Sequence, residues 1–158
     1  MMNRARVLVV DDEPLVRQTL SEWLRRKHFH VLEAEGGRQA MERIRREAPD
    51  IVISDVVMPG MDGIELLKEA KSLKADIPFL MVTGYPSHHT AVEVMQLGAA
   101  DYLVKPFKPE ELSRRVGRTL LESSLDKSLC PVKGMILAAS LSTILWALII
   151  GALSAFFA

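Results

Sequence analysis

Five polar side chains stand at or just beyond the ends of four short apolar runs in this chain. The runs cover residues 7–10, 51–53, 79–82 and 102–104. The polar side chains are those of Asp11, Asp12, Asp55, Thr83 and Lys105. Continuous apolar runs of this length are typical of strands buried on both faces of a parallel sheet. Because ligands of such sheets bind beyond the carboxyl ends of the strands, we expect these side chains to meet at one edge.

These side chains have the chemistry of phosphoryl transfer. Three carboxylates at one edge repel each other, and a hard divalent cation such as Mg²⁺, which prefers oxygen ligands, would offset their charge. Asp55 can act as a nucleophile without a general base, because carboxylates are ionised at neutral pH. Mg²⁺ and the ammonium group of Lys105 would stabilise charge on the phosphoryl oxygens, and the Thr83 hydroxyl can donate to one of them. Taken alone, Asp11 and Asp12 would more simply be a loop and helix-cap pair.

Segments with a helical period lie between the apolar runs, and a weaker run at 30–32 adds a fifth strand. Pro14 suits the first turn of the first helix, where a missing N–H is tolerated. The predicted buried faces contain Val16, Leu20, Trp23 and Leu24; Ala40, Met41, Ile44 and Ala48; Ile64, Leu67, Ala70 and Leu73; Ala91, Val92 and Met95; and Leu112, Val116 and Leu120. A strand–helix unit repeated five times predicts an α/β fold with a parallel sheet, right-handed crossovers and helices on both faces.

Four motifs in this order resemble the receiver domain of two-component response regulators. They are VLVVDDEP (7–14), SDVVMPGMDG (54–63), VTG (82–84) and GAADYLVKPF (98–107). The resemblance covers about residues 4–123, so a receiver domain is predicted at 1–123. It implies a flavodoxin-like, doubly wound, five-stranded parallel sheet in the order 2-1-3-4-5 with five helices.

The resemblance also implies a phospho-acceptor and a metal site. Asp55 looks like the acceptor of a phosphoryl group from a histidine kinase or a phosphotransfer protein. Asp12 looks like the direct acidic ligand of Mg²⁺, Asp11 looks like a ligand acting mainly through water, and Val57 would give its backbone carbonyl. Val57 and Tyr85 occupy two positions that vary in the family, and neither side chain positions water well. We therefore expect slow self-dephosphorylation.

Three further residues match the switch of the family. Thr83 looks like the switch hydroxyl, and Lys105 looks like the lysine that pairs with the phosphate. Tyr102 looks like the aromatic residue whose ring moves inward when Thr83 moves, although the pattern fits a plain core residue equally well. Pro106 stands where a cis Lys–Pro bond is usual in the family.

Composition narrows the class of partner. The chain has 20 basic and 20 acidic residues, a balance that gives no general attraction to nucleic acid. No nucleic-acid partner is expected. The basic residues at 25–27 and at 43, 45 and 46 are interpreted as solvated helix faces. Cys130 is the only cysteine, so no disulfide can form within the chain.

The segment 135–158 carries no ionisable side chain and is apolar on every face. A helix of this length spans roughly 36 Å, enough to cross a hydrocarbon core of about 30 Å. A buried helix of a soluble protein is the alternative, but too few other residues remain to surround it. We predict a linker at 124–134 and a single transmembrane helix at 135–158. Because Lys127 and Lys133 flank its start, the receiver is expected at the cytoplasmic face of the inner membrane.

Small residues recur every four positions in this segment and are compatible with a homodimer in lipid. They are Ala139, Thr143, Ala147, Gly151 and Ala155. The sequence as a whole predicts a membrane-anchored single-domain response regulator, not an enzyme, that signals to an unknown downstream protein. Two alternatives stay open: a phosphoryl sink or relay carrier, and a small subunit of a membrane complex whose receiver is a regulatory handle or an inactive scaffold.

Overall fold

The computed structural model describes residues 4–126 and 128, and these residues alternate between strand and helix. The strands are β1 (Arg6–Val10), β2 (His30–Ala34), β3 (Ile51–Asp55), β4 (Phe79–Thr83) and β5 (Asp101–Val104). The helices are α1 (Pro14–Arg26), α2 (Gly37–Glu47), α3 (Gly63–Leu73), α4 (His88–Gln96) and α5 (109–126). Each predicted apolar run lies within a strand, and α1 begins at the predicted proline.

The five strands form one parallel sheet in the order β2-β1-β3-β4-β5. Val7 pairs with Val31 of β2 on one side and with Ile51 of β3 on the other. The strand order reverses between β1 and β3, and this reversal opens a crevice at the carboxyl ends of these two strands. The predicted fold class and sheet order are therefore confirmed.

Side chains of β1 alternate between two hydrophobic cores, one on each face of the sheet. Leu8 and Val10 belong to a core that includes residues of α2, α3 and α4. Val7 and Val9 belong to the other core, with residues of α1 and α5. Helices cover both faces, so the three central strands are apolar apart from their end residues and Ser54.

Two predicted helix faces are wrong in detail. In α4 the residue that is fully buried is Val94, whereas Val92 and Met95 are 41% and 49% exposed. Helix α4 contacts the edge strand β5, and this contact needs only a narrow apolar face. In α3 the core residues are Leu66, Leu67 and Ala70, and Leu73 at the end of the helix is exposed.

The chain divides into two compact units, Met1–Leu121 and Glu122–Ala158. Residues 124–126 are helical, although the linker was expected to begin at 124. No glycine or proline occurs between Gly117 and Pro131, so no residue type breaks the helix there. None of the helices described, which lie within 4–128, is long and apolar enough to cross a membrane. The predicted transmembrane segment 135–158 lies outside the described residues.

Candidate functional site

Asp55 ends β3 at the crevice and is only 7% exposed. One carboxylate oxygen, Oδ1, accepts a hydrogen bond of 3.1 Å from the backbone N–H of Val57. The backbone of Gly63, at the start of α3, lies directly against Asp55. A Cβ at this glycine would overlap the Asp55 carbonyl oxygen and approach Cα of Val56 to 2.9 Å. Glycine is therefore needed at position 63 to let α3 approach the acceptor.

Asp11 follows β1 across the crevice from Asp55 and is 2% exposed. Its Oδ1 atom accepts from the N–H of Glu13 at 2.9 Å. Its Oδ2 atom receives a hydrogen bond of 2.9 Å from Nζ of Lys105, and the same ammonium group donates to Oδ2 of Asp55 at 2.6 Å. One lysine thus joins the two buried carboxylates.

The side chain of Lys105 is 20% exposed. Burial alone would lower its pKa, but the hydrogen bonds and charges of Asp55 and Asp11 outweigh burial and raise the pKa above its usual value. Lys105 therefore remains a cation at neutral pH. Its position is set by the end of β5, where its N–H donates to the carbonyl of Thr83 at 2.8 Å, and the Lys105–Pro106 bond is cis.

Thr83 ends β4 and is fully buried. Its hydroxyl oxygen accepts from the backbone N–H of Tyr85 at 3.0 Å, so the start of the β4–α4 loop is fastened to this side chain. Two large apolar side chains border the crevice with little cover: Val57 is 54% exposed and Tyr85 is 80% exposed. The side chain of Val57 has no polar atom with which to position water, and that of Tyr85 is largely in solvent.

Tyr102 lies in β5 and packs against the core that contains Val94 of α4. Its hydroxyl is buried, and within residues 4–126 no hydrogen bond to it meets the usual distance and angle limits. Burial raises the pKa of this phenol, and a weaker approach of the Ser87 backbone lowers it in part. Ser87 caps α4 by accepting from the N–H of Thr90 at 2.9 Å. Both interpretations of Tyr102, core residue and switch, remain compatible with this position.

The predicted metal ligands are only partly assembled. Within residues 4–126 and 128, no group of three Asp, Glu, His or Cys side chains is close enough to hold a metal ion. Asp11 and Asp55 are joined through Lys105, whereas Asp12 is half-buried beside them without a contact to Lys105. The donors suit Mg²⁺ in kind, because these carboxylates and the carbonyl of Val57 are hard oxygen ligands. The ligand assignments stay predictions.

Sequence reasoning missed Arg17. Its guanidinium Nη1 donates to the carbonyl oxygen of Asp11 at 2.6 Å, and its Nε lies 3.8 Å from Oε2 of Glu33. Arg17 therefore fixes the backbone of the loop that carries the acidic pair. The chain has many arginines on its helices, and no spacing rule distinguishes this one, because its partner is a backbone oxygen.

A doubly wound α/β sheet with two carboxylates and a lysine at the switch point between β1 and β3 defines the class of this protein: a flavodoxin-like domain with an acidic site at the carboxyl edge of the sheet. The chain belongs to the response regulator receiver domain family, whose model matches residues 7–117. Receiver domains accept a phosphoryl group on an aspartate.

Similar proteins and structures agree with this membership. The chain is 36% identical over 116 residues to chemotaxis protein CheY of Bacillus subtilis (strain 168), and this match covers 73% of the chain and 97% of that protein. It is 40% identical over 124 residues to regulatory protein AtoC of Escherichia coli (strain K12). The crystal structure of chemotaxis protein CheY4 from Vibrio cholerae matches with a TM-score of 0.71 and 37% identity, and covers 74% of this chain and 99% of that one.

The lengths of these relatives differ. The match covers 78% of this chain but only 27% of AtoC, so the chain corresponds to one part of that regulator. CheY of Bacillus subtilis, in contrast, is matched almost throughout. The comparisons therefore establish the receiver domain and leave open what it controls.

Proposed function

We propose that this protein is a phospho-acceptor switch in which Asp55 receives a phosphoryl group from a histidine kinase or a phosphotransfer protein. The observation that carries the proposal is the ammonium group of Lys105, which lies 2.6 Å from Asp55 and 2.9 Å from Asp11. A cation held between two buried carboxylates is positioned to stabilise negative charge that arrives on either of them.

The chemistry needs little beyond positioning. A carboxylate oxygen of Asp55 forms the new bond to phosphorus as the bond from phosphorus to the donor's histidine nitrogen breaks, and that nitrogen keeps the electron pair. Lys105 then pairs with a phosphoryl oxygen instead of Oδ2 of Asp55. The buried hydroxyl of Thr83 can donate its hydrogen to another phosphoryl oxygen, since toward Tyr85 it is the acceptor.

Mg²⁺ would be held by Asp11, Asp12, Asp55 and the carbonyl of Val57. When bound, it supplies positive charge that neutralises the phosphoryl oxygens and the acidic cluster. Asp11 is prepared for this role by contacts that fix both its carboxylate and its backbone, including the hydrogen bond from Arg17. The protein would not act as an enzyme with turnover; it would catalyse only its own phosphorylation and a slow dephosphorylation.

Signalling would run from Thr83 to the α4–β5–α5 face. The hydroxyl of Thr83 holds the loop that leads to α4, and Tyr102 lies between the core and the cap of that helix. Val92 and Met95 of α4 expose about half of their surface on this face. Phosphorylation would shift the populations of two arrangements of this face, and a downstream protein would bind one of them.

Anchoring is part of the proposal. The uncharged segment 135–158 would cross the inner membrane once and would keep the receiver at the cytoplasmic face, near a membrane-bound kinase. The support for this comes from the sequence alone. Extraction of membranes at high salt and at alkaline pH tests it, because an integral protein stays in the pellet and a peripheral one is released.

Phosphorylation can be tested with acetyl phosphate and Mg²⁺, read by a phosphate-affinity gel. The wild-type protein is expected to shift, and Asp55→Asn is expected to remain unshifted. Asp62→Asn is the matched control, since Asp62 lies in the same loop but only caps α3 through the N–H groups of Ile64 and Glu65. A shift that survives Asp55→Asn would reject Asp55 as the acceptor.

A further inference from the structure

Basic side chains crowd the amino-terminal edge of the sheet, opposite the edge that carries Asp55. Arg4 precedes β1, Arg26 and Lys27 stand at the end of α1 before β2, and residues 45 and 46 lie in the last turn of α2 before β3. Because β2 and β3 flank β1, these positions lie side by side. The basic edge is defined by five exposed side chains: Arg4, Arg26, Lys27, Arg45 and Arg46.

The carboxylates at this edge do not neutralise it. Asp50 accepts from the backbone N–H of Arg6 at 2.7 Å and lies 3.9 Å from its guanidinium, and Glu47 pairs with Arg43 at 2.7 Å. Within residues 4–126, the five side chains of the basic edge form no ion pair with a carboxylate. Lys27 lies over the ring of Trp23, 5.1 Å from its centroid, and no carboxylate among the described residues neutralises the charge of the five.

The opposite edge has the opposite sign. Its carboxylates are those of Asp11, Asp12, Glu13, Glu35, Asp55 and Asp62, and they outnumber the basic side chains there, which are Arg17, Arg38, Lys105 and Lys108. The formal net charge of zero for the chain thus conceals a separation of charge between the two ends of the sheet. An anionic surface attracts one end of such a molecule and repels the other, which orients the molecule as well as binding it.

The chain leaves the receiver unit at the basic edge. Arg115 and Arg118 of α5 donate to the carboxylate of Asp101, the first residue of β5, at 2.8 Å and 3.0 Å. At Arg115 and Arg118, α5 therefore lies at the amino-terminal edge of the sheet. The compact unit ends three residues later, at Leu121. The residues that follow in the sequence include Lys127 and Lys133 and then the uncharged segment 135–158.

We propose that the basic edge docks on the anionic phospholipid headgroups of the membrane, so that the phosphorylation site faces the cytosol. The inference rests on the proposed anchor for bringing this edge to the bilayer, but the separation of charge is independent of the anchor. Each basic side chain near an anionic membrane raises the partition coefficient of a protein from water to that membrane about fivefold. A lipid surface fits better than nucleic acid, because the charges are spread over the end of the molecule from which an apolar segment continues.

The test uses the full chain with vesicles of phosphatidylcholine alone or with about a third phosphatidylserine. Spin labels on single cysteines, introduced into a Cys130→Ser background, report proximity to a nickel-chelating lipid. Ala75→Cys places a label between α3 and β4 at the basic edge, and Glu35→Cys places one at the opposite edge. The Ala75 label is expected to approach the lipid only when phosphatidylserine is present, and the Glu35 label is expected to stay distant in both lipids.

Neutralisation of two charges gives the matched comparison. Arg45→Gln with Arg46→Gln should abolish the approach of the Ala75 label and weaken binding to phosphatidylserine vesicles about tenfold or more. Arg38→Gln removes an exposed arginine from the first turn of the same helix, at the other edge of the sheet. It should change neither the approach of the Ala75 label nor the binding to phosphatidylserine vesicles.

Sedimentation separates the two proposals. Pelleting with both lipids shows that the anchor inserts, and pelleting only with phosphatidylserine shows that the basic edge binds without an anchor. An Ala75 label that is insensitive to phosphatidylserine in pelleted protein would overturn the docking inference while the anchor stands. Binding to a short DNA duplex at lower concentrations than to vesicles, lost in the Arg45→Gln and Arg46→Gln variant, would assign the basic edge to nucleic acid instead.

Discussion

The contacts of Lys105 with Asp11 and Asp55 lead to a prediction about the stability of the fold that can be tested without a phosphoryl donor. Replacing Lys105 by methionine keeps the length of the side chain but removes the ammonium group. Asp11 and Asp55, which are 2% and 7% exposed, would then face each other without a cation. We expect Lys105→Met to destabilise the receiver when no divalent cation is present.

The magnitude follows from the two contacts that are lost. Each is a charge-assisted hydrogen bond, of 2.6 Å and 2.9 Å, and such bonds contribute about 1.5–3 kcal/mol each. Removing one partner of a buried ion pair costs about 3–5 kcal/mol, because the remaining charge is uncompensated. The Lys105 side chain is 20% exposed, so water offsets part of this cost. We therefore expect the free energy of unfolding to fall by about 2–4 kcal/mol.

Urea unfolding followed by circular dichroism, in a mild detergent with EDTA, measures this loss. Millimolar Mg²⁺ should reduce the difference in the free energy of unfolding between Lys105→Met and wild type, because a bound divalent cation replaces the missing positive charge. Lys68→Met is the matched control: Lys68 pairs with Glu93 at 3.5 Å on the surface, and its loss should cost less than about 1 kcal/mol. A Lys105→Met variant as stable as wild type in EDTA would refute the view that the lysine holds the acidic pair together.

Three further predictions concern the same edge of the sheet. The pKa of Lys105 is raised on folding, so its contribution to stability should be constant up to the ordinary value of 10.5 and should be lost as pH rises from there through the folded value. Urea titrations of wild type and Lys105→Met between pH 7 and 11 should show the constant difference and the start of its decline. Gly63→Ala should lower the free energy of unfolding by about 2–3 kcal/mol and slow phosphorylation, since the new Cβ overlaps the carbonyl of Asp55. Gly36→Ala, where nothing lies within 4 Å of the new Cβ, should lower it by less than half as much. The phosphorylated protein should persist for minutes or longer, and Val57→Asn should shorten its lifetime about tenfold by positioning water; a wild-type lifetime of seconds in Mg²⁺ would contradict this.

The fold could be predicted from the sequence because strands buried on both faces leave continuous apolar runs. The runs at 7–10 and 79–82 lie within β1 and β4 with almost the same limits. Helix faces were harder to predict, since an apolar residue on a helix can face solvent at little cost. Val92 and Met95 look like core residues by spacing, yet Val94 fills the core position of α4.

The site could be predicted as far as the strand ends determine it. Asp11 follows β1 and Asp55 ends β3, and these neighbouring parallel strands bring their ends together whatever the loops do. Lys105 follows β5, two strands away from β3, and its long side chain reaches both carboxylates along the same edge of the sheet. Arg17 could not be predicted, because its contact with the backbone of Asp11 depends on the angle at which α1 packs on the sheet. The ion pair of Arg25 with Glu33 was equally hidden, since it depends on a tertiary contact between α1 and β2 and not on spacing.

We assign the capture of the phosphoryl group to Asp55. The most direct measurement is to phosphorylate the full chain with acetyl phosphate and Mg²⁺, reduce the acyl phosphate with borohydride, and locate the resulting homoserine by peptide mass spectrometry. We predict homoserine at position 55 alone, and none when Mg²⁺ is chelated. Homoserine at another aspartate, or none anywhere in protein that is folded and supplied with Mg²⁺, would contradict the account.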